Sequence, residues 1–447
     1  MSNRIYSRSE VLSHNKPGDC YLIIKNSVYD LTEFIKQHPG GADILTSRAG
    51  EDATSYFLNR HSGNHSVINH LEKYKVGELA AEERIDEKFF LEPFYQDLMN
   101  ICYKGNLFNV DPKIKFFYDS YRLICITMFM AISLFILFFN DNILIALPLI
   151  TFLSLIGTSI FGFIAHENTH RNFPKNSLVR LLLKITWPIF WPFISQNPLR
   201  YEHNSHHIKI GDPEYDYEVA AFSEYIRYTG LVKHKPIHKY QHKLAVFFYP
   251  FYANIITTIG GIKSGFWKKH KRSVSTEHSL SVLATLTFYI VFPYFYTTQT
   301  SLFYFISAYL LYQSMLFFGI YTGSAINHFT TKQFNKIPES KQNLYGYYNC
   351  SQTTNFAVGS KIWFFLTGGF NIQIEHHLVP FIPVENLRRA VPIVKDLCQK
   401  YDYPYVSFPN FKALWDDHYK YLKTLSKAND LDLIKSEIIN KNTYNAR

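Results

Sequence analysis

Residues 143–170 read ILIALPLITFLSLIGTSIFGFIAHENTH. From Ile143 to Ala165 there is no charged side chain, and then His166 and His170 follow at once. The apolar run is close to the ~20 residues a helix needs to cross a bilayer. On a helix, positions i and i+4 share a face, so the run ends by presenting two imidazoles to one point. The stretch is therefore read as a membrane span that delivers candidate metal ligands to the membrane surface.

Working outward, Leu123–Ala165 carries Asp141 as its sole charge and divides into spans of about 121–140 and 143–165 around Asn140-Asp141-Asn142. Ser279–Asn327 lacks Asp, Glu, Lys and Arg altogether and divides into spans of about 279–297 and 302–326. Both short turns lack Lys and Arg, whereas the connection from Arg171 to Arg272 is rich in them. The positive-inside rule then sets both termini and the central connection in the cytosol. The apolar segments 181–195 (LLLKITWPIFWPFIS) and 244–262 read as interfacial or re-entrant helices. A single crossing by either would part the flanking histidines. Four spans are expected.

Composition agrees with a membrane protein of two or more units. Of 447 residues 47% are apolar and 17% aromatic, and the net charge of +10 suits cytosolic loops facing anionic headgroups. No nucleic-acid reader motif accompanies the charge, so no nucleic-acid partner is expected. The cysteines (Cys20, Cys102, Cys125, Cys350, Cys398) lack CxxC spacing and suggest neither disulfides nor a thiolate site. MSNRIYSRSE has no apolar region of the signal-peptide kind, so targeting is expected from the internal spans.

Residues 5–80 are of another character, with strand-like runs at Tyr21–Lys25 and Val28–Leu31. His38-Pro39-Gly40-Gly41 allows a tight turn before a helix, and His61 stands 23 residues after His38. Two histidines so separated can reach opposite faces of a flat cofactor. A haem iron with imidazole on both axial positions has no site for oxygen and carries electrons. This unit resembles cytochrome b5, from Tyr6 through Val28-Tyr29-Asp30-Leu31-Thr32-x-Phe34 and HPGG to Tyr74-x-Val76-Gly77-x-Leu79. The resemblance implies haem b with His38 and His61 as axial ligands, and leaves His65 and His70 as solvated surface groups.

Further histidines gather in four clusters: His166/His170, His203/His206/His207, His328 after Asn327, and His376/His377 after Gln373. One iron or zinc uses three or four ligands, so eight histidines suffice for two metals with positions left open. The residues alone leave iron, zinc and copper open. The soluble di-iron carboxylate fold is a poor fit, because Glu167-x-x-His170 is the sole Glu-x-x-His pair.

The boxes HxxxH, HxxHH and QxxHH resemble those of the membrane fatty-acid desaturase superfamily, in its cytochrome b5-fused front-end branch. Asn327-His328, Gly368-Gly369-Phe370-Asn371, Asp212-Pro213 and Gln352-Thr353-Thr354 carry the resemblance further, from about Tyr6 to Phe411. It implies a multidomain chain: a small α+β haem domain (1–80), a linker (81–120) and an all-α membrane domain (121–420), then a polar tail (421–447). The membrane domain would have four transmembrane helices and a cytosolic di-iron cap. It further implies two non-haem irons held by His166, His170, His203, His206, His207, His328, His376 and His377. Gln373 would line the site, Asn327 would hold a metal-bound water, and Glu167, Glu202, Asp212 and Glu375 would orient ligand imidazoles. Glu167 departs from the family's usual Asp.

The implied activity is O2-dependent desaturation of a polyunsaturated acyl chain, of delta-5 or delta-6 type, in the endoplasmic reticulum. The acyl carrier would be coenzyme A or a phospholipid, and an NADH-dependent cytochrome b5 reductase would recharge the haem. A sphingolipid long-chain-base desaturase or lipid hydroxylase uses the same centre. A non-catalytic haem electron carrier is the reading from another class. His234, His238 and His242 share a helical face but lie among lysines, and are read as a solvated face. His14, His270, His278 and His418 receive no role.

Overall fold

Asp19–Ile24 (β3) and Ser27–Asp30 (β4) are joined by Lys25-Asn26, both with positive φ (51° and 64°). Such a two-residue turn matches the strands' twist and closes a hairpin. In the computed structural model the hairpin lies in a five-stranded sheet with Arg4–Tyr6 (β1), Asn15–Lys16 (β2) and Lys75–Leu79 (β5), in the order β1-β5-β4-β3-β2. The structure describes residues 4–427 apart from 62–64, 88–89, 141, 171–189, 192–195, 255–282, 297–301, 335–336, 339–340 and 342–343. Leu22, Ile24, Tyr29, Leu31 and Leu45 form the core of this N-terminal unit. Two short helices, Thr54–His61 (α1) and His65–Leu71 (α2), stand over it. This is the expected small α+β unit.

The stretch 81–120, expected as a linker, holds a packed helix. Pro93–Lys104 (α3) buries Phe94, Leu98 and Cys102 against Val384–Tyr401 (α11 below), within one apolar cluster that also includes Tyr56 of the haem-like unit. Pro112 at the first helical position and Asp111, whose carboxylate accepts from the Lys113 amide at 2.8 Å, start the helix Pro112–Leu134 (α4).

Among the described residues, three helices are long and apolar enough to cross a membrane: Pro112–Phe139, Ile143–His170 and Phe303–Phe334. They correspond to α4, Ile143–Ile160 (α5) and Leu302–Gly323 (α8 below) with their continuations. Of the expected fourth span, 279–297, residues 283–296 are described and helical, and Tyr289 packs on Tyr309 and Tyr312. Small residues let α5 and α8 approach closely. A Cβ on Gly157 would stand 2.9 Å from Leu316 Cδ1. Large exposed apolar residues on these helices, among them Leu123, Phe139, Leu144 and Phe303, form the lipid-facing surface.

Of the expected interfacial segment 181–195 only Phe190 and Trp191 are described. Both are buried in the helix bundle, where Tyr312 Oη donates to Phe190 O at 2.7 Å and Trp191 Nε1 to Gly157 O at 3.3 Å. Gln196–Ile208 (α6) follows. Gln241–Asn254 (α7) covers the described part of 244–262 and packs on α8. After α8 come Tyr345–Gln352 (α9), Gln373–Leu378 (α10), Val384–Tyr401 (α11) and Phe411–Leu425 (α12). The boundary expected at 420 falls inside α12, whose Tyr421, Leu422 and Leu425 are buried. Residues 428–447 of the expected tail lie outside the described residues.

Candidate functional site

His38 ends a short helical turn and donates from Nδ1 to Gly41 O at 3.0 Å, which leaves Nε2 as its lone-pair nitrogen. Gly40 is required here because a Cβ would meet the His38 ring at 2.7 Å, and Gly41 holds φ 102°. The His38 and His61 ring centres lie 6.5 Å apart. Two metal–imidazole bonds of about 2 Å, plus about 1 Å from each nitrogen to its ring centre, span nearly that distance. Burial lowers the basicity of both rings, that of His61 to about 4, so both are neutral donors. Both line a cavity of about 820 Å³ walled by Leu31, Phe34, Val67 and Leu71. That volume lies within the ~300–1,000 Å³ of cofactor sites. The residues fit a bis-imidazole haem. His70, expected in solvent, is exposed; its ring stands 5.3 Å from that of Phe34 at the edge of the cavity.

The eight histidines of the four clusters meet in two groups. His166, His170, His203, His207 and His376 form one, and His206, His328 and His377 the other. Within each group the candidate ligand atoms lie within 4.8 Å of one another. Local structure explains the aim. The end of the second apolar helix widens into a π-helix over Phe161–His166, a form common at functional sites. Helix α6 supplies residues i, i+3 and i+4, and α10 supplies two adjacent residues that point to different groups. His207 and His377 stack at 3.9 Å, so the two groups adjoin.

The polar balance of this cluster suits metal ions. Among the described residues, His166 Nε2, both nitrogens of His170 and both of His377 are buried without a hydrogen-bond partner. Such orphaned groups each cost roughly 1–3 kcal/mol in a dry site. Elsewhere nitrogen meets nitrogen: His203 Nε2 and His376 Nε2 each lie 3.0 Å from His207 Nε2, and His206 Nε2 lies 3.3 Å from His328 Nε2. Burial holds His203, His207 and His377 far below the usual imidazole range, and His376 at about 3. Neutral imidazoles converging on one point suit a metal cation.

His206 is the exception. Burial acts to lower it, but Asp216 and Glu218 outweigh that and push it up to about 9. Asp216, fully buried, faces His206 Nδ1 at 3.0 Å and accepts from the Gly211 amide at 2.8 Å. Asp216 therefore takes the orienting role the sequence reading gave to Asp212. Asp212 instead accepts from the Glu214 and Tyr215 amides and shapes the turn. The sequence signal for Asp216 lies in Asp212-Pro-Glu-Tyr-Asp216, four residues beyond Asp212. Glu167 turns to Arg122 (3.3 Å), which also binds Glu385 at 2.9 Å. Glu375 accepts from Asn355 Nδ2 and Tyr405 Oη, both at 2.8 Å, and so ties α10 to those two side chains. Glu202 lies half-buried on α6.

Gln373 Oε1 is buried without a partner among the described residues, and Gln373 lines a small cavity with His166, His170 and His376. Asn327 donates to Gly323 O, Ser324 O and Phe370 O and leaves its Oδ1 unsatisfied. His238, expected in solvent, is fully buried and bonded to Lys235 N and Ser223 O, because it seats the turn before α7. His418 is also structural, bridging Phe329 O and Tyr249 Oη.

The N-terminal unit is docked on α6. Arg48 pairs with Glu51 at 3.0 Å and donates to Ile208 O at 2.9 Å, and Lys209 reaches Glu51 at 3.1 Å. Burial works against the Glu51 charge, yet Lys209 and Arg48 hold its carboxyl below the usual range. Tyr56 packs edge-on to Tyr345 at 5.3 Å. The cavity at His38 and His61 is lined on its far side by His170 and His207, so one space adjoins both centres.

Residues 102–409 match the family model described as fatty acid desaturase, and residues 7–80 match that of the cytochrome b5-like haem/steroid binding domain. A probable Delta(5) fatty acid desaturase C of Dictyostelium discoideum is 25% identical over 94% of this chain and 95% of its own. A Delta(8)-fatty-acid desaturase 2 of Arabidopsis thaliana is 25% identical over 95% and 93%. An acyl-lipid (9-3)-desaturase of Borago officinalis is 26% identical over 89% and 88%.

Proposed function

This chain belongs to the fatty acid desaturase family and carries a cytochrome b5-like unit, and from that premise we propose front-end desaturation, a cis double bond inserted between an existing one and the carboxyl end of a polyunsaturated acyl chain. The family makes it a membrane oxidoreductase acting on a fatty acyl lipid with O2, with haem and a di-iron centre as cofactors. The new bond is of delta-5 or delta-6 type. The relatives' names span several positions at about 25% identity, so position does not transfer from them.

His38 and His61 are the haem ligands. His166, His170, His203, His207 and His376 hold one iron, and His206, His328 and His377 the other. When bound, the haem supplies single electrons and the irons supply oxygen activation and hydrogen abstraction. The protein's own part is position and dryness. Gly41 O fixes the His38 tautomer, and Asp216 keeps the Nδ1 proton on His206 so that Nε2 faces the metal. Gln373 Oε1 and Asn327 Oδ1 are acceptors held at the centre for a bound water or the substrate. The acyl chain enters from the lipid side, and burial of the histidines excludes bulk water.

The segment 279–297 completes four spans, which puts both termini and the histidines on the cytosolic face of the endoplasmic reticulum. A cytochrome b5 reductase recharges the haem from NADH, and the acyl carrier is coenzyme A or a phospholipid. The observation that carries the reading is the convergence of eight buried or half-buried imidazoles into two groups, the larger of which borders the cavity of His38 and His61.

The test is lipid analysis of yeast expressing the chain and fed defined polyunsaturated fatty acids, beside a His376→Ala variant. The expected product has a new double bond on the carboxyl side of an existing one, and the variant makes none. Tags on both termini should be cut by protease added to intact microsomes. A haem- and iron-loaded protein that altered only long-chain bases, or no lipid at all, would overturn the proposal.

A further inference from the structure

Next to His328 lies a buried patch of phenols that the chemistry above does not use. Tyr249 on α7 and His418 on α12 are 0% and 1% exposed, and Tyr249 Oη donates to His418 Nε2 at 2.5 Å. The other ring nitrogen, Nδ1, donates to Phe329 O at 2.7 Å. A carbonyl only accepts, so the proton of the neutral ring sits on Nδ1 and Nε2 offers its lone pair to the phenol. Burial lowers this ring to about 4, which keeps it neutral. A hydrogen-bonded path thus runs from Phe329, the residue after the ligand His328, through one imidazole to one phenol. The Tyr228 ring stacks on that of Phe329 at 4.1 Å, and the Tyr321 ring stands 4.5 Å from that of Tyr249. Trp415, half-buried, stands 6.2 Å from Tyr249 and links the patch to the surface.

A buried phenol with a base to take its proton gives up an electron far more readily than one without, because a charged radical in an apolar core is costly. The placement fits such a donor. The haem cavity borders His170 and His207, of the larger histidine group, whereas Tyr249 lies beyond His328, of the smaller. We propose that the Tyr249–His418 pair is a redox-active site that discharges the iron pair when it has met O2 with no acyl chain in place. Tyr249 gives one electron to the O2-oxidised iron pair and its proton to His418 Nε2, which leaves a neutral phenoxyl radical and an imidazolium. One electron from a small soluble reductant such as ascorbate enters through Trp415, and the phenolate so formed takes its proton back from His418. Two such rounds consume the two oxidising equivalents that otherwise attack the ligand imidazoles. The phenol is suited to this because its O–H bond is weaker than the methylene C–H bonds that desaturation breaks. The inference rests on the desaturase reading above.

The test freezes the full-length, haem- and iron-loaded protein at intervals after its reduced form meets O2 without acyl substrate, and reads it by electron paramagnetic resonance. Wild type should show a tyrosyl radical, identified by the narrowing of its signal when the protein carries ring-deuterated tyrosine. Y249F should lose the radical. H418Q, which keeps the phenol and removes the base, should lose it too, and W415F should prolong it in the presence of ascorbate. Mass spectrometry after repeated reoxidation should find more oxidised histidine among the metal ligands of Y249F than of wild type. The initial desaturation rate of Y249F with acyl substrate should match wild type, since Tyr249 serves only the reaction without it. Wild-type protein that desaturates but forms no tyrosyl radical would overturn the proposal. So would a radical that survives in Y249F, or equal histidine oxidation in Y249F and wild type. Loaded wild-type protein that neither desaturates nor consumes O2 would instead overturn the desaturase reading itself.

Discussion

At the scale of single residues, the site is decided by which nitrogen of each imidazole is free. Asp216 shows how one buried carboxylate sets this for His206, and no helix periodicity points to it. Asp216→Asn removes the charge while keeping the shape, so His206 loses the partner that holds its Nδ1 proton. Partners of this kind are worth 10–100-fold in metal affinity or activity, so non-haem iron and desaturation should fall by about that much. Haem absorbance should be unchanged, and Asp212→Asn should cost far less, since Asp212 only shapes a turn. Equal iron content in Asp216→Asn and wild type, measured by metal analysis, would remove Asp216 from this role. The eight ligand candidates themselves were legible in the sequence from spacing and from family resemblance. Their division into five and three was not, because adjacent residues of one helix, such as His376 and His377, serve different groups.

At the scale of elements, the boxes depend on close crossings. Gly162 and Gly368 meet where the second apolar helix passes the turn before α10, and a Cβ on Gly162 would stand 2.7 Å from Gly368 Cα. Gly368 also has φ 63°, a conformation that favours glycine. Gly162→Ala must therefore push the helix carrying His166 away from the segment carrying His376. Overpacking of this kind typically costs about 1–3 kcal/mol. The expected outcome is loss of non-haem iron and activity with haem retained, read from metal analysis and the Soret band of one preparation. Alanine accepted at Gly162 with full iron would show that the crossing can relax. The apolar runs 121–140 and 143–165 were readable from hydropathy, since backbone in lipid must form helices. The helix within 81–120 was not readable as a packed element for a physical reason: α3 is amphipathic, and its apolar face packs on residues far away in sequence, on α11 and at Tyr345.

At the scale of the whole molecule, two units share one interface and one cavity. A flexible tether would only raise the local concentration of a donor. Here Glu51 is held between Arg48 and Lys209, all three largely shielded from water. Glu51→Ala leaves two cations facing each other, and breaking such a buried pair costs up to about 3–5 kcal/mol. The haem should still bind, because its ligands lie elsewhere. Reoxidation of the haem on adding O2 and acyl substrate should slow by tenfold or more, and protease should cut faster between the units. Unchanged reoxidation in stopped-flow would mean that the tether alone suffices.

The sequence by itself determined the classes of structure: a small α+β unit, an apolar helical unit, and two sets of histidines. Each of these is written in short-range patterns that water and lipid read directly, such as apolar run length, turn residues and helical spacing. Only the tertiary structure decided how the histidines divide, that Asp216 rather than Asp212 holds His206, and that His170 and His207 border the cavity of His38 and His61. Those outcomes depend on contacts between segments up to a few hundred residues apart, and no local pattern encodes a long-range contact.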